Sequence, residues 1–317
     1  MSDLPKRVQI NEEGPREGFQ SEKRMIPVAD KVRLIEALAE TGLSHIACVS
    51  YVNPRRVPTM ADAEAVAAAI HQKPGIEYTA LYLNQQGLER ALSGPLHVEA
   101  SVRITASDTF SRKNIGKSVP DSLVEQRLSL KTFKERGMPV KWGVVLGAFG
   151  CNYEGALSTE LILHRVQQLL DEAEMAGFKL EAVKLTDAMG WATPQSVERL
   201  IEVIRNKWPG LEIGLHLHDT RGVGMASAFA GLRLGVTDFD SSIAGLGGCP
   251  FAATEGAVGN ICTEDFAFMC EEMGVQTGLD LDKLIEAAKV AEDVVGRPLP
   301  GHVMRGGTLN HTGMDAT

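Results

Sequence analysis

Short apolar or β-branched runs alternate with amphipathic stretches eight times along this chain, and that alternation limits the fold more than any other feature of the sequence. The runs at 7–11, 45–50, 77–83, 97–104, 140–146, 182–185, 212–217 and 238–243 read as strands, each bounded by polar or glycine-containing segments. Helical periodicity falls between them, at 28–41, 61–70, 121–136, 160–176, 194–206 and 225–234. In the first of these, Val32, Leu34, Ile35 and Leu38 share an apolar face and Gly42 supplies the stop. Pro120 and Pro194 mark helix starts, where a missing N–H goes unused. Strands separated by crossover helices pair in parallel, and eight βα units close a barrel. The expected fold is therefore α/β, a (β/α)8 TIM barrel, with a doubly wound open sheet as the alternative.

Two further helices are expected at 264–273 and 280–295, beyond what closing the barrel requires. Residues 1–300 then form a single barrel domain with additional C-terminal helices, and 301–317, rich in glycine and polar residues from PLPG onward, read as a flexible C-terminal tail. With 44% hydrophobic and 23% charged residues the 317-residue chain has the composition of a folded globular protein. Its net charge of −9 argues against nucleic-acid binding, which needs a basic surface. No segment approaches the roughly 18 apolar residues of a membrane span, and MSDLPKRVQINEE lacks the apolar core of a signal peptide, so a cytoplasmic protein is expected. Five scattered cysteines, an odd number with no C-x-x-C pair, indicate neither a disulfide framework nor a structural zinc site.

In such a barrel the chemistry lies at the C-terminal ends of the strands. His216-Leu217-His218-Asp219 ends the seventh run, and residues i and i+2 of a strand face one side, so both imidazoles can address one point. That arrangement suits a metal ion or, equally, a hydrogen-bonded structural pair. After the first run, Glu12-Glu13-Gly14-Pro15-Arg16-Glu17 places an Arg-Glu pair in a turn. A carboxylate there could complete a mixed N/O metal site, and the guanidinium could meet a developing oxyanion. Alone, such a pair is more often a solvated ion pair. The glycine-rich stretch around Cys249 lacks G-K-[ST], which excludes a Walker loop, and reads as a mobile lid carrying a thiol. Asn260, which ends that stretch, offers a neutral oxygen ligand.

Taken in order, GPREGFQ, SYVNPRRVPTMAD, FSRKNI, GCNYEG, LHLHDTRG, GLGGCPFA and GAVGN resemble the 3-hydroxy-3-methylglutaryl-CoA lyase family of metal-dependent TIM-barrel lyases over essentially the whole chain. The resemblance implies a divalent ion, Mg²⁺ or Mn²⁺, held by Glu17, His216, His218 and Asn260. It also implies that Arg16 stabilises the enolate oxygen, that Cys249 is the general acid, and that His216 takes part in removing the 3-hydroxyl proton. Lys113, Asn114, Arg55 and Arg56 become contacts for the phosphates of coenzyme A. An acyl-CoA thioester is the implied substrate, cleaved to acetyl-CoA and a keto acid or ketone, and a homodimer or larger homo-oligomer is the expected assembly. A Claisen-type condensing enzyme of the same superfamily and a non-catalytic metal- or acyl-CoA-binding barrel are the alternatives.

Three positions depart from the family pattern. Glu17 stands where Asp is usual, Ala47 stands where the second strand normally ends on an acidic residue, and Ala188 replaces a threonine. All three alter polar groups at the barrel mouth while Arg16, both histidines, Cys249 and Asn260 remain. The expectation is retained lyase chemistry on an acid portion larger or less polar than that of 3-hydroxy-3-methylglutaryl-CoA.

Overall fold

The protein is represented by a computed structural model that describes residues 4–248 and 259–309. All eight expected strands form, one of them in two pieces: β1 (Gln9–Glu12), β2 (His45–Tyr51), β3 (Glu77–Tyr82), β4 (His97–Val98), β5 (Ser101–Thr105), β6 (Trp142–Leu146), β7 (Ala182–Thr186), β8 (Glu212–His216) and β9 (Asp238–Ser241). They pair in parallel in the order β4-β3-β2-β1-β9-β8-β7-β6-β5. β4 and β5, at the two ends of this order, are separated in the chain by Glu99 and Ala100 alone. One strand run therefore gives its first half to β3 and its second half to β6, and the barrel closes through covalent chain. Arg103 stitches the seam from the β5 side. Its guanidinium donates to the Tyr82 carbonyl at 3.2 Å and to Glu99 Oε2 at 3.0 Å.

Helices cover the outside, which explains the apolar character of the outward strand positions. The helix Val28–Leu38 buries Leu34, Ile35 and Leu38, and the helix Pro194–Lys207 buries Val197, Leu200, Ile201 and Ile204. Ser118 and Thr193 cap the helices that Pro120 and Pro194 begin, each accepting a backbone N–H from three residues on. The helices Gln85–Leu92 and Asp108–Ile115 are not among the six expected between the strands. Each spans eight residues, about two turns, too short for a periodic apolar face to stand out. Both begin on a side-chain cap, Asn84 and Ser107.

The tail needs correction. Residues 301–306, expected to be loosely held, pack as far as the short helix Val303–Gly306, which buries Val303 and Met304. Asp265 anchors it by accepting the backbone N–H groups of His302 and Val303. Two buried apolar side chains and a carboxylate cap outweigh the local glycine content.

Glu12, on the outward face of β1, is fully buried and ties the first strand to the chain after the last one. It accepts hydrogen bonds from Gly14 N at 2.7 Å, Ile243 N at 2.9 Å and Thr263 Oγ1 at 2.6 Å. Burial pushes its carboxyl up to about 8, against these three bonds. Glu12→Ala should lower stability by about 3 kcal/mol or more in urea unfolding, because three donors lose their acceptor. Glu12→Gln, which keeps one acceptor oxygen, should lose less. A carboxyl raised in the folded state favours folding below its unfolded pKa and loses that contribution as pH rises through about 8. The Gln variant, which cannot ionise, should lack this fall in stability across neutral pH.

Candidate functional site

Period-2 alternation sends Asn11 inward, opposite in parity to Glu12, and Glu13, which follows β1 in helical conformation, is buried after it. The same parity brings His45, Lys184, His216, Asp238 and Asp240 into the barrel, so its interior is a network of charged and polar groups. Asn11 Nδ2 donates to Asp240 Oδ1 at 3.1 Å, and Lys184 pairs with Asp238 at 3.2 Å and also with Asp240. The Lys184 ammonium lies 5.2 Å from the centroid of the Trp142 ring. Gly214 makes room for this packing, since a Cβ there would stand 2.8 Å from Asp238 and 2.9 Å from Trp142.

At the C-terminal mouth the two expected histidines and the expected carboxylate converge. His218 Nε2 lies 3.2 Å from Glu17 Oε1, His216 Nε2 lies 3.7 Å from Glu17 Oε2, and the two Nε2 atoms are 3.2 Å apart. Asn260 joins them through the bridge that pairs it with His218. Its amide nitrogen donates to Ser242 Oγ at 2.8 Å, while its Oδ1 is buried without a hydrogen-bond partner. Gly247, at φ 99°, brings Asn260 and Glu17 together, because a Cβ on it would meet both side chains. Two imidazole nitrogens, a carboxylate and an orphaned amide oxygen form a donor set that fits a divalent cation preferring mixed N/O ligands.

Asp240 supports this set from below, accepting from His216 Nδ1 at 3.1 Å. A carboxylate on Nδ1 favours the tautomer whose Nε2 lone pair faces Glu17 and His218. Burial opposes charging of His216, but Glu17 and Asp240 outweigh it and raise its pKa. Burial likewise opposes ionisation of Glu17, yet Arg16 and the two histidines hold its carboxyl well below the usual range. Asp240 is held low in spite of burial, chiefly by Lys184 and then by His216.

Arg16 sits in the π-helical turn Gly14–Gly18 that follows β1. Its Nε donates to Glu13 Oε2 at 2.9 Å, its Nη2 also pairs with Glu13, and Nη2 lies 3.1 Å from Glu17 Oε2. The expected Arg-Glu pair is thus a buried guanidinium between two carboxylates. Sequence reasoning assigned no role to Glu13, Asp240 or Lys184. Inward parity after a strand of known register was the signal that could have found them.

β1 and β2 pair Glu12 with Ile46, and Ala47, the next residue of β2, is buried. The Ala188 side is apolar: this half-buried residue packs on a small cluster of Phe110, Cys151 and Met189, with Trp191 at its edge.

Arg55 and Arg56 are exposed in the turn after β2, and Lys113 and Asn114 lie in the last turn of the helix Asp108–Ile115. Arg56 reaches that helix, its Nη1 standing 3.7 Å from where a Gly116 Cβ would be. Cys249 lies outside the described residues. On either side of it the chain meets itself, because a Cβ on Gly259 would collide with the Gly247 carbonyl. The other cysteines, Cys48, Cys151, Cys262 and Cys270, are free and buried. Cys262, Glu264 and Asp265 cluster at the start of the helix Thr263–Glu272, where the carboxylates cap backbone N–H groups of Ala244, His302 and Val303.

Known proteins share this architecture. Residues 7–291 match the HMGL-like family model. The hydroxymethylglutaryl-CoA lyase of Bacillus subtilis is 39% identical over 93% of this chain and 96% of its own length. The crystal structure of the B. subtilis HMG-CoA lyase superposes with a TM-score of 0.88 at 37% identity, covering 96% of this chain and 99% of that one. A Pseudomonas aeruginosa protein, 3-hydroxy-3-isohexenylglutaryl-CoA/hydroxymethylglutaryl-CoA lyase, is 37% identical over 93% of this chain and 95% of its own length. With the barrel, the inward histidines and this likeness over nearly its full length, the chain belongs to the HMGL-like family and is a lyase.

Proposed function

We propose that this lyase cleaves a 3-hydroxy-3-methylglutaryl-CoA-like thioester to acetyl-CoA and a keto acid or ketone, with Mg²⁺ or Mn²⁺ at Glu17, His216, His218 and Asn260. The observation that carries the proposal is the convergence of both imidazole Nε2 atoms on Glu17, beside a buried guanidinium and an unpartnered Asn260 oxygen. A divalent ion there supplies the positive charge that favours ionisation of the tertiary hydroxyl. His216, backed by Asp240, takes part in removing the hydroxyl proton. The C2–C3 bond then breaks, a carbonyl forms at C3, and the electron pair passes to the thioester enolate. Arg16 stabilises the enolate oxygen, and Cys249 delivers the proton to C2. Arg55, Arg56, Lys113 and Asn114 contact the coenzyme A phosphates. No helix among the described residues is long and apolar enough to cross a membrane, and the enzyme is proposed to work in the cytoplasm.

Selectivity follows from the side walls. Ala47, the apolar wall at Ala188 and the longer reach of Glu17 favour a larger or less polar substituent at C3. The P. aeruginosa relative is named for substrates of both kinds.

Titration with Mn²⁺ followed by electron paramagnetic resonance should show one site per chain. Glu17→Ala, His216→Ala or His218→Ala should each weaken it beyond the about 10–100-fold that loss of an outer partner brings. Unchanged binding in all three would place the ion elsewhere. Cys249→Ser should fold and bind Mn²⁺ normally while acetyl-CoA release falls by about 10²–10⁴-fold. In the same assay, a thioester with a longer alkyl group at C3 should show a higher kcat/KM than 3-hydroxy-3-methylglutaryl-CoA. The parent should fall below the about 10⁴–10⁸ M⁻¹s⁻¹ typical of native substrates. A parent value inside that range, with the larger analogue behind it, would make the ordinary family substrate the physiological one.

A further inference from the structure

Arg16 needs a fixed direction to act on an enolate oxygen, since electrostatic stabilisation depends on donors already aimed at the developing charge. An arginine side chain in a turn is otherwise free in several torsions. Two carboxylates hold it, and they are not equivalent. Glu17 is also shared with both histidines, so its oxygens are committed to the ion site. Glu13 faces Arg16 with a single oxygen that takes both Nε and Nη2, a fork that fixes the guanidinium plane. Its side chain is 9% exposed, so water competes little for the contact.

We propose that Glu13 is the positioning residue for Arg16. The proposal rests on the role given to Arg16 above and extends it. Its structural basis is the contact of one Glu13 oxygen with both Nε and Nη2 of the guanidinium, made between side chains that are only 9% and 15% exposed.

The Glu13 variants give the test. Glu13→Ala should lower kcat for acetyl-CoA release by about 10²-fold with little change in KM, the pattern of an interaction made in the transition state. Glu13→Gln, which keeps an acceptor oxygen without the charge, should fall between. A merely structural contact would lower the amount of folded enzyme and leave the kcat of the folded fraction unchanged. A second readout needs no substrate: phenylglyoxal labelling of Arg16, followed by peptide mass spectrometry. Labelling should be slow in the wild type, faster in Glu13→Ala and intermediate in Glu13→Gln. This order should persist whichever thioester the enzyme cleaves, so failure of the substrate assignment leaves it intact. Equal labelling in wild type and both Glu13 variants, or an unchanged kcat in Glu13→Ala, would overturn the proposal.

Discussion

A closed parallel barrel gives every strand residue one of two environments, and the consequences of that division run through the whole molecule. Outward positions meet helices and are apolar, except where Glu12 collects the donors of three segments. Inward positions meet one another, and here they carry ammonium, guanidinium, imidazole and carboxylate groups at close quarters. Charges enclosed in this way must be paired, since an isolated buried ion loses far more in hydration than packing returns. Lys184 with Asp238 and Asp240, and Arg103 with Glu99, are the pairs that satisfy the lower part of the barrel. His216, resting on Asp240, connects that paired interior to the mouth.

The mouth inherits its chemistry from this arrangement. Lys184 offsets part of the Asp240 charge from below, and Asp240 in turn orients the His216 imidazole. Glu17 is then the carboxylate on which both histidines converge. Arg16 lies on its other side and offsets its charge, so the proposed cation ligand and the proposed oxyanion stabiliser stand on adjacent residues of one turn. A single π-helical turn after the first strand thus sets a carboxylate and a guanidinium within 3.1 Å of each other.

Most of the fold was legible because its signal is local and repeated: a bounded apolar run, then an amphipathic helix, eight times over. The groups at the ends of strands were legible for the same reason, since a barrel makes position along the strand informative. His216 and His218 declare their shared face by spacing alone. Lys184 and Asp240 did not, because charges inside a five- or four-residue strand read as solvent-facing until the barrel is known to be closed. Glu13 was hidden in a doublet with Glu12, two identical residues whose opposite duties only parity separates.

The divided fourth strand has a different kind of consequence. Around most of the circumference neighbouring strands are held by ladders of backbone hydrogen bonds, but between β3 and β5 the upper part of the wall is joined by the Arg103 side chain reaching the Tyr82 carbonyl. A ladder fixes its spacing to within tenths of an ångström, whereas a guanidinium on a flexible stem tolerates a range of separations. At this one place in the ring the wall depends on a part-buried charge and its carbonyl partner, so loss of the Arg103 guanidinium would open the seam while leaving every backbone ladder intact.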